Sequence, residues 1–285
     1  MVCTTPSSQE LLSCFRDDGF VILPAFFEPE VLAGVRRDVQ EVSDEHIRKL
    51  LRDGKITNAF ENEPFETRLI RVYQECTEHI PTTFRPELHK PGMFGLFFHP
   101  RLLDLVEQIL GPEIRLFPNY SVRPKLPEDA ATLVLWHQDA GYTEEMNQDG
   151  QVAEARMVNI WSPLVPATVE NGCMQFIPRT HKLGIVPHVR KNEFYLQIID
   201  EYLAPYLDQA IDMPLNPGDV VLFSNLLYHR GLPNGSSAIR WSCDWRYQDS
   251  TQPTFRKEHG HIARSRSQPA AVVRDARHWA QLSFV

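Results

Sequence analysis

From Ile114 onward the chain is cut into short apolar runs, rich in β-branched and aromatic residues, with turn formers between them. The runs are residues 114–122, 133–136, 157–164, 173–177, 220–223 and 239–247. Glu170-Asn171-Gly172, Asn216-Pro217-Gly218-Asp219 and Asn234-Gly235 lie in the gaps. Such runs are too short for core helices, and their residue types suit a pleated, half-buried surface. The pattern predicts a mainly β fold with flanking helices, its strands forming an antiparallel barrel or sandwich.

Residues before this region read differently. Gly19-Phe20-Val21-Ile22-Leu23 is an apolar strand candidate ending at Pro24. Leu32, Val35, Val39 and Val42 then recur at helical spacing, with Pro29 suited to a first turn and Gly54 to a stop. A second helix opens at Pro100, carries Leu102, Leu103, Val106, Ile109 and Leu110, and ends at Gly111-Pro112. Residues 193–210 also look helical and predict an insertion in the barrel. No internal repeat or linker divides the chain. We expect one domain over 1–285: mostly helical support over 1–113, a barrel core over 114–250 and a C-terminal tail over 251–285.

Composition excludes several classes. With 285 residues, 42% hydrophobic and 23% charged, the chain can bury a large core. Its net charge of −8 argues against a general nucleic-acid binder, which needs cationic surface. The five cysteines, Cys3, Cys14, Cys76, Cys173 and Cys243, form no CxxC pair, so neither a disulfide framework nor a cysteine zinc site is expected. The N-terminus has no secretory pattern, and no apolar run approaches the length of a membrane span. The expected setting is the cytoplasm, with neither membrane nor nucleic acid as partner. No oligomeric state is read from the sequence.

Chemistry concentrates in two segments. Leu133-Val134-Leu135-Trp136-His137-Gln138-Asp139 reads as a strand running into polar residues. Residues two apart on a strand share a face, so His137 and Asp139 should project together. They are two legs of a 2-His-1-carboxylate triad, the ligand set of non-haem Fe(II) oxygenases. Downstream, the strand Val220-Val221-Leu222-Phe223 leads to His229, and Asn234-Gly235 precedes a return strand that begins near Arg240. If Asn234 and Gly235 are the central turn residues, His229 pairs opposite Arg240. Fe(II) held by three protein ligands leaves room for 2-oxoglutarate, whose far carboxylate then needs a fixed cation. Arginine supplies a planar, permanently charged fork for that role. Taken singly, His229 is as easily a hydrogen-bonded core histidine and Arg240 an interstrand ion pair.

The series resembles the phytanoyl-CoA dioxygenase family of Fe(II)/2-oxoglutarate oxygenases over nearly the whole chain. The resemblance is carried by Asp18-Gly19-Phe20-Val21, the His99-Pro100-Arg101-Leu102-Leu103 helix and Trp136-His137-Gln138-Asp139. It continues through the run from Asn171-Gly172 to His181-Lys182, then Pro217-Gly218-Asp219 and His229 followed by Arg240. It implies a double-stranded β-helix, a jelly-roll, cupin-like barrel with helices on one sheet. It also implies His137, Asp139 and His229 as iron ligands, Arg240 as the 2-oxoglutarate anchor and Trp161 as lining for the cosubstrate pocket. Asn119 sits where some members place another cosubstrate contact. Arg179 departs from the family, which often has glycine there, and the extra length over 144–156 implies a lid-like loop. A carboxylate at Asp139, where related halogenases carry a small residue, implies oxygenation.

Other residues have plainer readings. His259 and His261 have metal-like spacing but no acid beside them, in a tail with six Lys or Arg against two acids. His181 and His188 flank a glycine-containing loop, with surface positions as the default. Arg190-Lys191 and Arg123-Pro124-Lys125 could attract an anionic substrate or be solvated charge. Cys173 and Cys243 read as buried thiols, and Trp136 and Trp241 as core. The function expected is an oxygenase using Fe(II), 2-oxoglutarate and O2 to hydroxylate an aliphatic C–H of a small metabolite, with release of succinate and CO2. The alternatives are a non-catalytic metal- or metabolite-binding barrel, and a metalloenzyme of the same fold that uses no 2-oxoglutarate.

Overall fold

The structure, a computed structural model, describes residues 8–144, 155–191 and 195–284. Cys3 and all but the ends of the expected loop at 144–156 lie outside the described residues. The chain opens with α1 (Ser8–Asp18) and β1 (Phe20–Leu23), then α2 (Pro29–Arg52), α3 (Arg68–Tyr73), α4 (Pro91–Phe97) and α5 (Pro100–Leu110). Strands β2 (Ile114–Leu116) and β3 (Ser121–Lys125), the short helix α6 (Asp139–Glu144) and strands β4 (Met157–Pro163) and β5 (Met174–Ile177) follow. Next come β6 (His188–Arg190), β7 (Leu196–Ile198), α7 (Asp200–Leu203), β8 (Ile211–Met213) and β9 (Val220–Ser224). The last elements are β10 (Tyr228–Gly231), β11 (Arg240–Asp249), β12 (His261–Arg264) and α8 (Ala276–Gln281).

The two expected helices form for the expected reasons. α2 has Pro29 in its first turn and buries Val35, Val39, Val42, Ile47 and Leu50, the stripe of an amphipathic helix. α5 starts at Pro100, buries Leu102, Leu103, Val106 and Leu110, and stops at Gly111, whose φ of +91° continues no helix. The helix expected over 193–210 does not form. Among its described residues, β7 comes first, then the single turn of α7, then a 3-10 stretch opened by Pro205. Proline cannot donate the bond that would prolong α7.

Among the described residues, all strand pairing is antiparallel. Seven strands form one sheet in the order β1-β9-β4-β11-β2-β12, with β3 also paired to β11. A second sheet has the order β10-β5-β8, and β6 pairs with β7 alone. The expected mainly β, cupin-like jelly-roll barrel is therefore corrected. Among the described residues the fold is mixed α/β with several sheets, none of which closes into a barrel or jelly roll. Two physical causes are visible. The helices cover one face of the large sheet, so that face is buried without the sheet curling on itself. Residues 133–136, expected as a strand, join no ladder; only His137 makes an isolated bridge, to His229.

Alternation along the central strands sorts their side chains. Val158 and Ile160 on β4, Val220 and Leu222 on β9, and Trp241, Cys243, Trp245 and Tyr247 on β11 join the main core with the helices. The intervening Trp161, Val221 and Phe223 pack on the other face with Met174, Phe176 and Met213 from the second sheet. This period of two leaves Arg240, Asp244 and Arg246 of β11 on the face away from the helices. There they lie beside Asn159 and Trp161 of β4 (Asp244 opposite Trp161, Arg246 opposite Asn159).

Candidate metal centre and its cavity

A cavity of about 500 Å³ opens on that second face, and His137, Asp139 and His229 line it. The two histidines meet through their backbones. His137 N–H donates to the His229 carbonyl at 2.9 Å and His229 N–H returns the bond at 3.0 Å. The imidazole centroids are consequently 4.0 Å apart. Each ring lies 2.7–2.8 Å through Nδ1 from a carbonyl two residues back, Leu135 for His137 and Leu227 for His229. A proton on Nδ1 completes both bonds and leaves both Nε2 atoms as acceptors, as metal coordination requires.

Asp139 faces these two atoms, at 3.5 Å from His137 Nε2 and 3.7 Å from His229 Nε2. The sequence correctly joins His137 to Asp139, but by another geometry. Asp139 begins α6 instead of continuing a strand. Gln138 between them points away. Its amide donates to the Gly184 and Leu226 carbonyls and accepts from Val186 N–H, which pins the turn. The same two oxygens of Asp139 are also held, Oδ1 by Arg246 in an ion pair and Oδ2 by Asn159 Nδ2 at 2.7 Å. Asn119 in turn accepts from both terminal nitrogens of Arg246, at 3.0 and 3.1 Å. Burial opposes ionisation of Asp139, but the Arg246 guanidinium outweighs it and keeps the carboxyl well below its usual range. Burial, then the charge of His137, pushes His229 down to about 3.

The three ligand candidates are 5%, 8% and 2% exposed, and their ligand atoms lie within 4.8 Å of one another. Two neutral nitrogens and one carboxylate, all buried and convergent, fit a divalent iron site of the 2-His-1-carboxylate type. Arg240 fits a cosubstrate carboxylate for a similar reason. Its side chain lines the same cavity, lies over the Trp161 ring at 5.3 Å and donates to Ser242 Oγ at 2.5 Å. Its Nε is buried with no hydrogen-bond partner among the described residues, and burial lowers its pKa to about 10. A buried cation of this kind calls for an anionic ligand.

The expected hairpin between His229 and Arg240 is absent. Arg240 pairs with Lys125 on β3, and His229 with Phe176 on β5. Asn234 explains this: its Nδ2 donates to the Lys125 and Ala238 carbonyls, which holds open a wider loop whose arms enter different sheets. Trp161 and Asn119 line the cavity. Trp136 and Trp241 are core, and Trp241 stacks on Phe65 at 4.9 Å. Arg123 and Arg190 line the cavity as well. Lys125 is buried and donates to the Thr132 carbonyl at 2.8 Å; burial, then the charges of Arg240 and Arg123, lowers it to about 7.

His181 meets the Arg16 carbonyl at 3.0 Å, and His188 accepts from Gln138 N–H at 3.1 Å. His261 packs against Trp279. Arg179, where glycine is common in the family, does adopt a left-handed φ of +69° and pairs with Asp18. Cys173 and Cys243 are buried and free. Arg246, Asp244, Asn159, Arg85 and Arg256 are site residues that the sequence reading missed. For Asp244 and Arg246 a signal existed: both lie an even number of residues beyond Arg240 on one strand, and so on its face.

A family model for phytanoyl-CoA dioxygenase matches residues 15–242. The 1-deoxypentalenic acid 11-beta-hydroxylase of Streptomyces arenae is 29% identical over 168 residues, which cover 55% of this chain and 56% of that protein. The chain thus spans little more than half the length of that relative. The methylphosphonate hydroxylase of Gimesia maris is 25% identical over 255 residues, covering 90% of this chain and 86% of its own. Among solved structures, EctD from S. alaskensis with bound Fe superposes with a TM-score of 0.63 at 19% identity, over 92% of this chain and 88% of that one. The chain belongs to the phytanoyl-CoA dioxygenase family, and its buried His-Asp-His triad matches the facial triad of Fe(II)/2-oxoglutarate oxygenases. Among the described residues, no helix is long and apolar enough to cross a membrane.

Proposed function

We propose that this protein is an Fe(II)- and 2-oxoglutarate-dependent oxygenase that hydroxylates an aliphatic C–H bond of a small organic molecule. The observation that carries the reading is the convergence of His137, Asp139 and His229 in one cavity with the guanidinium of Arg240, which meets no carboxylate among the described residues. In this reading the triad holds iron through both Nε2 atoms and the Asp139 carboxylate. Arg240 grips the far carboxylate of 2-oxoglutarate, and Trp161 and Asn119 complete the wall around it. Bound there, iron with 2-oxoglutarate and O2 supplies decarboxylation to succinate and CO2 coupled to oxidation of the substrate. The chain's own part is to hold the ligands, orient the target bond and keep water from the reacting atoms.

Hydroxylation is favoured among the possible outcomes because two relatives are named as hydroxylases. A single domain is supported by the main core, which runs from Leu11 to Trp279 and so joins the N-terminal helices, the large sheet and the C-terminal segment. The net charge of −8 supports a small-molecule partner over nucleic acid. The free state of Cys14, Cys76, Cys173 and Cys243 supports a cytoplasmic setting.

The test is succinate formation from 2-oxoglutarate under air with added Fe(II). Succinate should appear with the wild-type chain and vanish with His137→Ala and Asp139→Ala. Iron binding with no succinate, coupled or uncoupled, would point to the non-catalytic alternative instead.

A further inference from the structure

The cavity wall carries more positive charge than iron and cosubstrate can use. Among the described residues, six arginines line it, Arg85, Arg123, Arg190, Arg240, Arg246 and Arg256, against two acids, Asp139 and Asp244. Each acid is already engaged. Asp139 pairs with Arg246. Asp244 takes Arg123 Nε at 2.5 Å and Nη2 at 3.4 Å, together with Ser121 Oγ at 2.9 Å. Arg240 is reserved for the cosubstrate in the reading above. Arg190 is engaged in an interaction of its own, which leaves Arg85 and Arg256.

Arg85 is held in place by its neighbour. Phe84 exchanges backbone bonds of 2.9 and 3.1 Å with Val122 and buries its ring in the core. Thr83 and Arg85, one residue to either side, line the cavity. The Arg85 Nε is buried with no hydrogen-bond partner, and no ion pair engages this side chain among the described residues. Arg256 stands over the Phe117 ring at 6.0 Å, and its ion pair is a long one, 3.5 Å to Glu258. It also lies beyond residues 15–242, so the family match does not include it.

Burial, followed by the charge of Arg123, lowers the pKa of Arg85 to about 10. Burial, followed by the charge of Arg246, lowers that of Arg256. Two like charges in a partly dry cavity repel each other and lack hydration, and an oxyanion between them would remedy both.

We propose that the substrate is a small organic anion whose carboxylate, phosphonate or phosphate group is held by Arg85 and Arg256. This rests on the oxygenase reading for the reaction, but the binding itself can be tested apart from it. The anion is the anchor, and the carbon to be oxidised belongs to the part of the molecule that reaches toward the triad.

Octanoate, octylphosphonate and octyl phosphate are titrated calorimetrically into the full chain, without air, with Fe(II) and saturating 2-oxoglutarate. Octan-1-ol serves as the neutral probe of equal length. At least one anion should bind about ten-fold tighter than the alcohol. Which one does so separates a carboxylate substrate from a phosphorus one. That ratio should fall toward one in Arg85→Met and in Arg256→Met, and should recover in part in Arg85→Lys, which restores charge in a chain of nearly the same packing. The proposal is overturned if the alcohol binds as well as all three anions, or if the methionine variants keep the wild-type ratio. It is equally overturned if the anions compete with 2-oxoglutarate and are lost in Arg240→Ala instead. Failure of the oxygenase reading would show separately, as absence of 2-oxoglutarate binding, while the charged-to-neutral ratio measured on the chain alone would still report on the two arginines.

Discussion

Arg246 closes an ion pair on Oδ1 of Asp139, so the acid that faces both histidines is itself held by a buried cation. The pair is almost sealed from solvent, with side chains 10% and 11% exposed. It fixes the acid as an anion and sets the direction of its free lone pairs. Replacing Arg246 by Met should weaken Fe(II) binding by about 10–100-fold, the usual effect of losing a partner behind a metal ligand. Metal titration followed by thermal melting reads this. Unchanged iron affinity in a folded variant would show that Asp139 needs no such support.

Arg240→Ala should raise the 2-oxoglutarate requirement by about 100-fold, because a cosubstrate carboxylate would lose a charge-assisted bond worth about 2–3 kcal/mol. Arg240→Lys should recover only part, since an ammonium ion lacks the planar fork. The measurement is the KM for 2-oxoglutarate at saturating iron. An isomerase or other metalloenzyme on this scaffold would show no dependence on Arg240.

Without metal, the chain should lose stability as the pH falls from about 6.5 toward 4. Burial holds His229 at about 3, and His188 and His261 at about 4, so each binds its proton more readily in the unfolded chain. Their contribution is therefore complete above the unfolded value and is withdrawn as acid is added. Asp139, whose carboxyl is held low, adds a further loss below its ordinary value of 3.8. Melting temperatures across this range check the slope, and His188→Asn should make it shallower. A flat profile between pH 7 and 4.5 would contradict the assigned burial of these rings.

Trp241 lies on the helix side of β11, 1% exposed and stacked on Phe65. Trp241→Ala should cost about 3–5 kcal/mol of stability through the cavity it leaves. Iron binding per folded molecule should hold, because its strand neighbour Arg240 points to the opposite face. Chemical denaturation and metal titration on one preparation would separate the two effects.

Much of this site is legible in single strands. Period-two alternation places Trp241 in the core and Arg240 in the cavity, and the spacing of His137 and Asp139 announces a shared target. Helices α2 and α5 follow from their apolar stripes, with Pro29 and Pro100 at their starts. The expected hairpin around Asn234-Gly235 does not form: its local turn signal is genuine, but its arms, β10 and β11, belong to different sheets. The same limit applies to the closed barrel: strand count and turns say nothing about which edges meet.

Ligand identity was a property of the sequence, since only certain side chains can bind iron or grip a carboxylate, and their types and offsets are written along the chain. Convergence was a property of the tertiary structure. His137 and His229 are brought together by one reciprocal backbone bridge between distant segments, and Arg246 and Asn159 meet Asp139 together because they are paired neighbours on β11 and β4. Pairing between remote strands depends on which faces the helices cover, and that is settled by packing the whole chain at once.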